Sequence, residues 1–122
     1  MNRGIVIGIL ALSSVAHAQI SKQAECRRIV ASDMEATRTK SPKVYATIET
    51  YMFEWSKSHD VCVIVVQYKT RYKAGKPAIQ VLARNAVTGE TMEGYDNVFL
   101  IPAEDSQRIM DATSFLFKRY SP

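Results

Sequence analysis

The chain is poor in histidine, glycine and cysteine, and each shortage narrows the chemistry open to it. Its 122 residues hold two histidines, His17 and His59, so no His-x-x-x-His pair exists to grip zinc from one helix face. The five glycines are too scattered for a phosphate-cradling loop, and no calcium loop is present. The G-x-S-x-G elbow that presents a serine nucleophile is also missing. No apolar run reaches the roughly 20 residues that a bilayer-spanning helix needs. Nor is charge of one sign in large excess, with 16 Lys and Arg against 12 Asp and Glu. A nucleic-acid partner, which calls for a strong basic surplus, is not expected.

What the sequence does have begins at its start. Met1-Asn2-Arg3 is short, polar and basic, Gly4 to Val15 is almost wholly apolar, and Ala16-His17-Ala18 follows. A basic start, a short apolar stretch and a small-x-small site form a secretory signal. Residues 1–18 read as a signal peptide, cut after Ala18 so that Gln19 becomes the new N-terminus; the alternative is an N-terminal membrane anchor. No cysteine follows the cut, which argues against lipoprotein processing. Loss of Arg3 leaves 15 basic residues against 12 acidic, a net charge of +3. Residues 19–122 are enough for one domain with a single core. The expected location is periplasmic or secreted, with no stable membrane anchor after cleavage.

Two cysteines remain, Cys26 and Cys62. In an oxidising compartment such a pair in a small domain usually bridges, and closing a loop of that length is worth roughly 3–4 kcal/mol. A metal site built from Cys26, His59 and Cys62 is the alternative. No cofactor is expected.

Ile20 to Arg38 carries Ile20, Ala24, Ala31 and Met34 at helical spacing without Gly or Pro, and predicts a first helix. Ser41-Pro42 is a helix start signal. Val44, Tyr45, Ile48, Tyr51, Met52 and Trp55 then recur at i, i+1, i+4, i+7, i+8 and i+11, predicting a second helix whose apolar stripe is core. An aromatic ligand box of Tyr45, Tyr51, Phe53 and Trp55 is the alternative use of those rings. After the polar turn Ser56 to Asp60, Val61 to Tyr72 reads as a strand whose first half is apolar on both faces, as in a strand covered on both sides. Ala78 to Val87 reads as a second strand and Thr91 to Ile101 as a third, bent at Gly94. Ala103 to Tyr120 reads as a closing helix, its Glu104 and Asp105 suiting the N-terminal end and Lys118 and Arg119 the C-terminal end. The expected architecture is α+β in the order α-α-β-β-β-α, with a three-stranded antiparallel meander.

Ser56-Lys57-Ser58-His59-Asp60-Val61-Cys62 and Asn85 to Tyr95 resemble segments of a group of small exported bacterial proteins of uncharacterised function. In these a helix-borne cysteine is followed by a second cysteine that opens a β-meander. The matching pieces cover about a fifth of residues 19–122, and Asn85 stands where the pattern carries Asp. The resemblance implies export and a Cys26–Cys62 bridge, and no activity.

Candidate chemistry is sparse. His59 would need a nucleophile and an orienting carboxylate to form a triad, and only Ser56 and Ser58 are near it in sequence. Paired carboxylates drawn from Asp33, Glu35, Glu49, Glu54, Asp60 and Asp96 would be required for cell-wall hydrolysis. The most distinctive feature is Lys69, Arg71 and Lys73, with Lys76 just beyond. Alternate strand positions share a face, spacing these cations about 7 Å apart, with Tyr68 and Tyr72 on the other face. Such a ridge suits an acidic protein partner in the envelope, or phosphates of the outer-membrane surface; the alternative to both is a solvated hairpin that resists edge pairing. The expectation is a non-enzymatic binding protein, an inhibitor or immunity-type protein acting on a secreted hydrolase being its concrete form. A small cell-wall hydrolase and a homodimeric structural envelope protein are the alternatives.

Overall fold

The computed structural model describes residues 3–92 and 98–120, those before Ser21 as backbone only. Helix α1 (Arg3–Lys40) is followed by one helical turn, α2 (Pro42–Tyr45), then by strands β1 (Ile48–Ser56), β2 (Val61–Tyr72), β3 (Lys76–Asn85) and β4 (Val98–Pro102), and by helix α3 (Ser106–Tyr120). The four strands form one sheet in the order β1-β2-β3-β4, each antiparallel to the next. Among the described residues no helix is long and apolar enough to cross a membrane.

The α+β class and the antiparallel meander agree with the sequence reading, but the sheet has four strands where three were expected. The predicted second helix is the source of the difference. It stops after Tyr45, and Ile48–Ser56 is a strand. The segment Ile-Glu-Thr-Tyr-Met-Phe-Glu-Trp-Ser suits both periods: its apolar residues recur at helical spacing, while Tyr51, Phe53 and Trp55 also alternate. Two physical facts favour the strand. Isoleucine, threonine and the aromatic residues lose side-chain freedom in a helix and pack well on a pleated surface. The doubly apolar β2 also needs a pairing partner on each edge, and β1 supplies one along its whole length, from Ile48 opposite Tyr68 to Ser56 opposite Val61. Val44, Tyr45, Tyr51 and Met52, expected in the core, are exposed. At the other end Val98–Pro102 is the only part of the predicted third strand to join the ladder as a described strand, with Thr91 making an isolated bridge to Arg84. The predicted bend at Gly94 lies outside the described residues.

The sheet is a middle layer. On one face Ile109, Ala112, Leu116 and Tyr120 of α3 pack on Val63, Val65, Ile79, Val81, Ala83 and Ile101. On the other, Cys26, Val30 and Met34 of α1 pack on Cys62, Ile64 and Val66, with Phe53 and Trp55 at the margin. The run Val61 to Val66 is therefore apolar on both sides because a helix covers each side. Burying a side chain such as Leu116 or Ile64 contributes about 1.5–3 kcal/mol.

A covalent link and a part-buried ion pair help to fasten α1. The disulfide joins Cys26 to Cys62 with a Cα–Cα distance of 5.2 Å, and both residues are fully buried. Arg84 of β3 donates to Asp33 of α1 at 2.9 Å. Burial pulls the Arg84 pKa down, but the bond to Asp33 and the nearby Tyr68 outweigh it, and the net shift is upward. A Cys26–His59–Cys62 metal site is ruled out, since the bridge consumes both thiols.

Candidate binding groove

The β2–β3 hairpin arises from strand alternation. Along β2, Val63, Val65 and Gln67 face α3, whereas Ile64, Val66 and Tyr68 face α1. Continuing the alternation puts Lys69 and Arg71 on the α3 face, beyond the point where α3 covers the sheet. The chain turns at Lys73–Gly75, where Ala74 (φ 62°) and Gly75 (φ 71°) take left-handed backbone conformations. Lys73 thus sits in the turn and leaves the ridge, and Lys76 opens β3. Tyr68 is half-buried among the α1-side core residues and serves packing there; Tyr72 is half-buried at the end of β2.

Lys69 and Arg71 line an open groove of about 610 Å³, together with Glu49, Gln67, Ser106 and Met110. The sheet forms its floor and the first turns of α3 its wall. Asp105 starts that helix, its carboxylate accepting from the Arg108 amide at 3.4 Å. Gln67 is held in place by donating to Thr113 at 2.9 Å. Lys69 lies 3.7 Å from the Glu49 carboxylate with both side chains more than half exposed, so solvent leaves that pair weak. Arg71 donates to the Gly75 carbonyl at 2.7 Å and meets no carboxylate among the described residues. One cation is thus partly neutralised, and the other is anchored by a neutral acceptor with its charge available.

A second, smaller cleft of about 210 Å³ continues along the open side of β1, between Met52 and the Met110–Thr113 turn of α3. Gln67 and Met110 line both clefts, so the two join into one groove with a cationic end and an apolar middle. Sequence reasoning identified the cations, with Gln67 on their face of β2, but not Met110 or Met52 beside them. No local signal could have joined them, because they come together only through the packing of α3 on the sheet.

Of the other sequence candidates, His59, Ser56 and Ser58 come together and the carboxylates and aromatic rings do not. His59 Nδ1 lies within hydrogen-bond distance of the hydroxyls of Ser56 (3.1 Å) and Ser58 (2.9 Å), and Ser56 is fully buried, where no substrate carbonyl could reach it. Of the acidic candidates, Asp33 bonds Arg84, Glu35 bonds Arg38, Glu49 faces Lys69 and Asp60 faces Lys22. Glu49 and Glu54 share the α3 face but stand five residues apart, roughly 17 Å along a strand, against the roughly 5–9.5 Å of a glycosidase pair. Asp96 and Tyr95 lie outside the described residues. The four rings of the supposed aromatic box separate: Tyr45 and Tyr51 are exposed, and Phe53 and Trp55 pack toward α1. No cluster of three or more metal-ligating side chains exists among the described residues. Ala16, Ala18 and Gln19 fall within the span of α1.

No protein-family model, curated protein or solved structure matches the chain.

Proposed function

We propose that this chain is an exported envelope protein that binds an acidic protein partner through the groove lined by Lys69 and Arg71. The observation that carries the reading is the convergence of these two cations on an open groove whose remaining wall offers Met110 and Ile109. A cationic end beside an apolar surface is the composition that supports steering and then holding a polypeptide. A bridge buried between α1 and β2 fits passage through an oxidising compartment. The signal-like residues 1–18, with a cut after Ala18, supply the route. Blocking a secreted hydrolase, as an inhibitor or immunity-type protein does, is the form of this function that needs no catalytic group of its own.

The test is capture from periplasmic and secreted extracts on immobilised oxidised protein, beside a Lys69→Glu/Arg71→Glu variant. Both side chains are exposed, so the reversal should leave the fold intact, which circular dichroism checks. One stoichiometric protein retained by the wild type and lost with the variant is the expected result. Retention of the same protein by both would place the interface elsewhere on the molecule.

A further inference from the structure

Strand β1 is an edge of the sheet, and at Tyr51 and Phe53 its outward backbone bonds no other group among the described residues. In an antiparallel pair, residues alternate between bonding their neighbour and pointing away from it. Two contacts fix the phase here. The Lys69 amide donates to the Thr47 carbonyl at 2.6 Å, so odd-numbered residues of β2 turn their backbone toward β1. The Trp55 amide, paired with Cys62, donates instead to the side chain of Gln23 on α1 at 2.9 Å. Trp55, Phe53 and Tyr51 therefore direct their N–H and C=O groups away from β2. Gln23 covers this edge at Trp55; at Tyr51 and Phe53 no such cover exists among the described residues, and Tyr51 is 42% exposed.

We infer that the partner enters as an extended segment that adds a fifth strand alongside β1, bonding the outward backbone of Tyr51 and Phe53. This rests on the groove reading above and specifies how the groove is filled. Strand addition draws affinity from main-chain bonds and specificity from pockets that receive alternate side chains. The pockets here have a definite order. Thr50, Met52 and Glu54 face α3, opposite Gln67, Val65 and Val63. The cleft between Met52 and Met110 accepts an apolar side chain. Lys69 and Arg71, past the Thr50 end, accept a carboxylate, which displaces that of Glu49 from Lys69. Glu54, at the far end, repels one. The occupant is thus an extended acidic–apolar segment whose acidic residue lies at the Lys69 end and which carries no acid opposite Glu54.

The probe is a displayed library of random nine-residue peptides selected on the immobilised oxidised protein, with the enriched peptide then synthesised. Three results are expected. Binding slows amide hydrogen exchange at Tyr51 and Phe53 at least about tenfold. Methylating the peptide backbone nitrogens abolishes binding at every second position and is tolerated between, the signature of a two-residue strand period. Lys69→Glu/Arg71→Glu lowers affinity at least about tenfold. A peptide that needs Lys69 and Arg71 yet leaves the Tyr51 and Phe53 amides unprotected would overturn strand addition while leaving the groove reading standing. A peptide that protects those amides but is indifferent to the charge reversal would overturn the groove reading and the acidic occupant with it. Failure to enrich any peptide, or protection of the two amides that rises with protein concentration alone, would also overturn the inference; the latter would make a second copy of the chain the occupant.

Discussion

Reduction of the Cys26–Cys62 bridge should remove a large part of the stability of this small fold. The bridge spans 36 positions. A cross-link of that length removes unfolded-state freedom worth about 4 kcal/mol, against a typical total of about 5–15 kcal/mol for a domain. It also fixes α1 to β2 at the centre of one core layer, so the helix depends on it more directly than the sheet does. The assay is urea unfolding of the oxidised protein and of the same protein held in reductant. Comparing these two forms isolates the cross-link, because a cysteine-to-alanine change would add a cavity. With a slope of about 2 kcal/mol per molar urea, the midpoint should fall by about 2 M. Both residues are fully buried, so reductant should reach the bridge only when the domain opens, and the rate of thiol release should follow the unfolding rate at high reductant. A midpoint shift corresponding to less than about 1 kcal/mol would refute the chain-entropy reasoning. Thiol release proportional to reductant without a plateau would refute the burial.

Other perturbations separate the remaining contributions. Asp33→Ala leaves Arg84 charged and largely buried with Tyr68 but no carboxylate beside it, and should cost about 2–4 kcal/mol in denaturant unfolding. Arg84→Met should cost less, because it removes the buried charge along with the pair; the reverse order would contradict the role assigned to Asp33. Leu116→Ala, at a fully buried contact between α3 and the sheet, should cost about 2–5 kcal/mol, measured the same way. Gly75→Ala should cost about 1 kcal/mol from backbone conformation alone, since φ is +71° and an added Cβ meets no atom within 4 Å.

The elements that were legible are those where one period dominates. The run Val61 to Val66 has no polar interruption and is followed by strict alternation, so β2 could be nothing else, and the burial of both its faces follows from that run. Helix α3 shows an apolar stripe through Ile109, Ala112 and Leu116, though it starts at Ser106 and not at the expected Ala103, Asp105 standing just before it and accepting from the Arg108 amide. Strand β1 was not legible because Tyr51, Met52 and Trp55 fit a helical stripe as well as Tyr51, Phe53 and Trp55 fit a strand. The decision came from β2's unpaired edge, a tertiary demand absent from any local window. The basic face was half legible: alternation places Lys69 and Arg71 together, but the left-handed backbone at Ala74 and Gly75 diverts Lys73 into the turn. Gln67 falls on the same face by alternation, but Met110 was out of reach, because the way α3 packs on the sheet decides what lies across from Lys69.

Whether the Lys69–Arg71 groove seats an acidic partner is measured most directly by calorimetry. The captured partner would be titrated into the wild type and into Lys69→Glu/Arg71→Glu at 50 mM and 300 mM salt. Exposed charges that attract across an interface are screened as the Debye length shortens. Wild-type affinity should weaken with salt, and the variant should bind at least about tenfold more weakly at low salt, with residual binding nearly independent of salt. Equal affinities for the two proteins, with equal salt dependence, would contradict that seating.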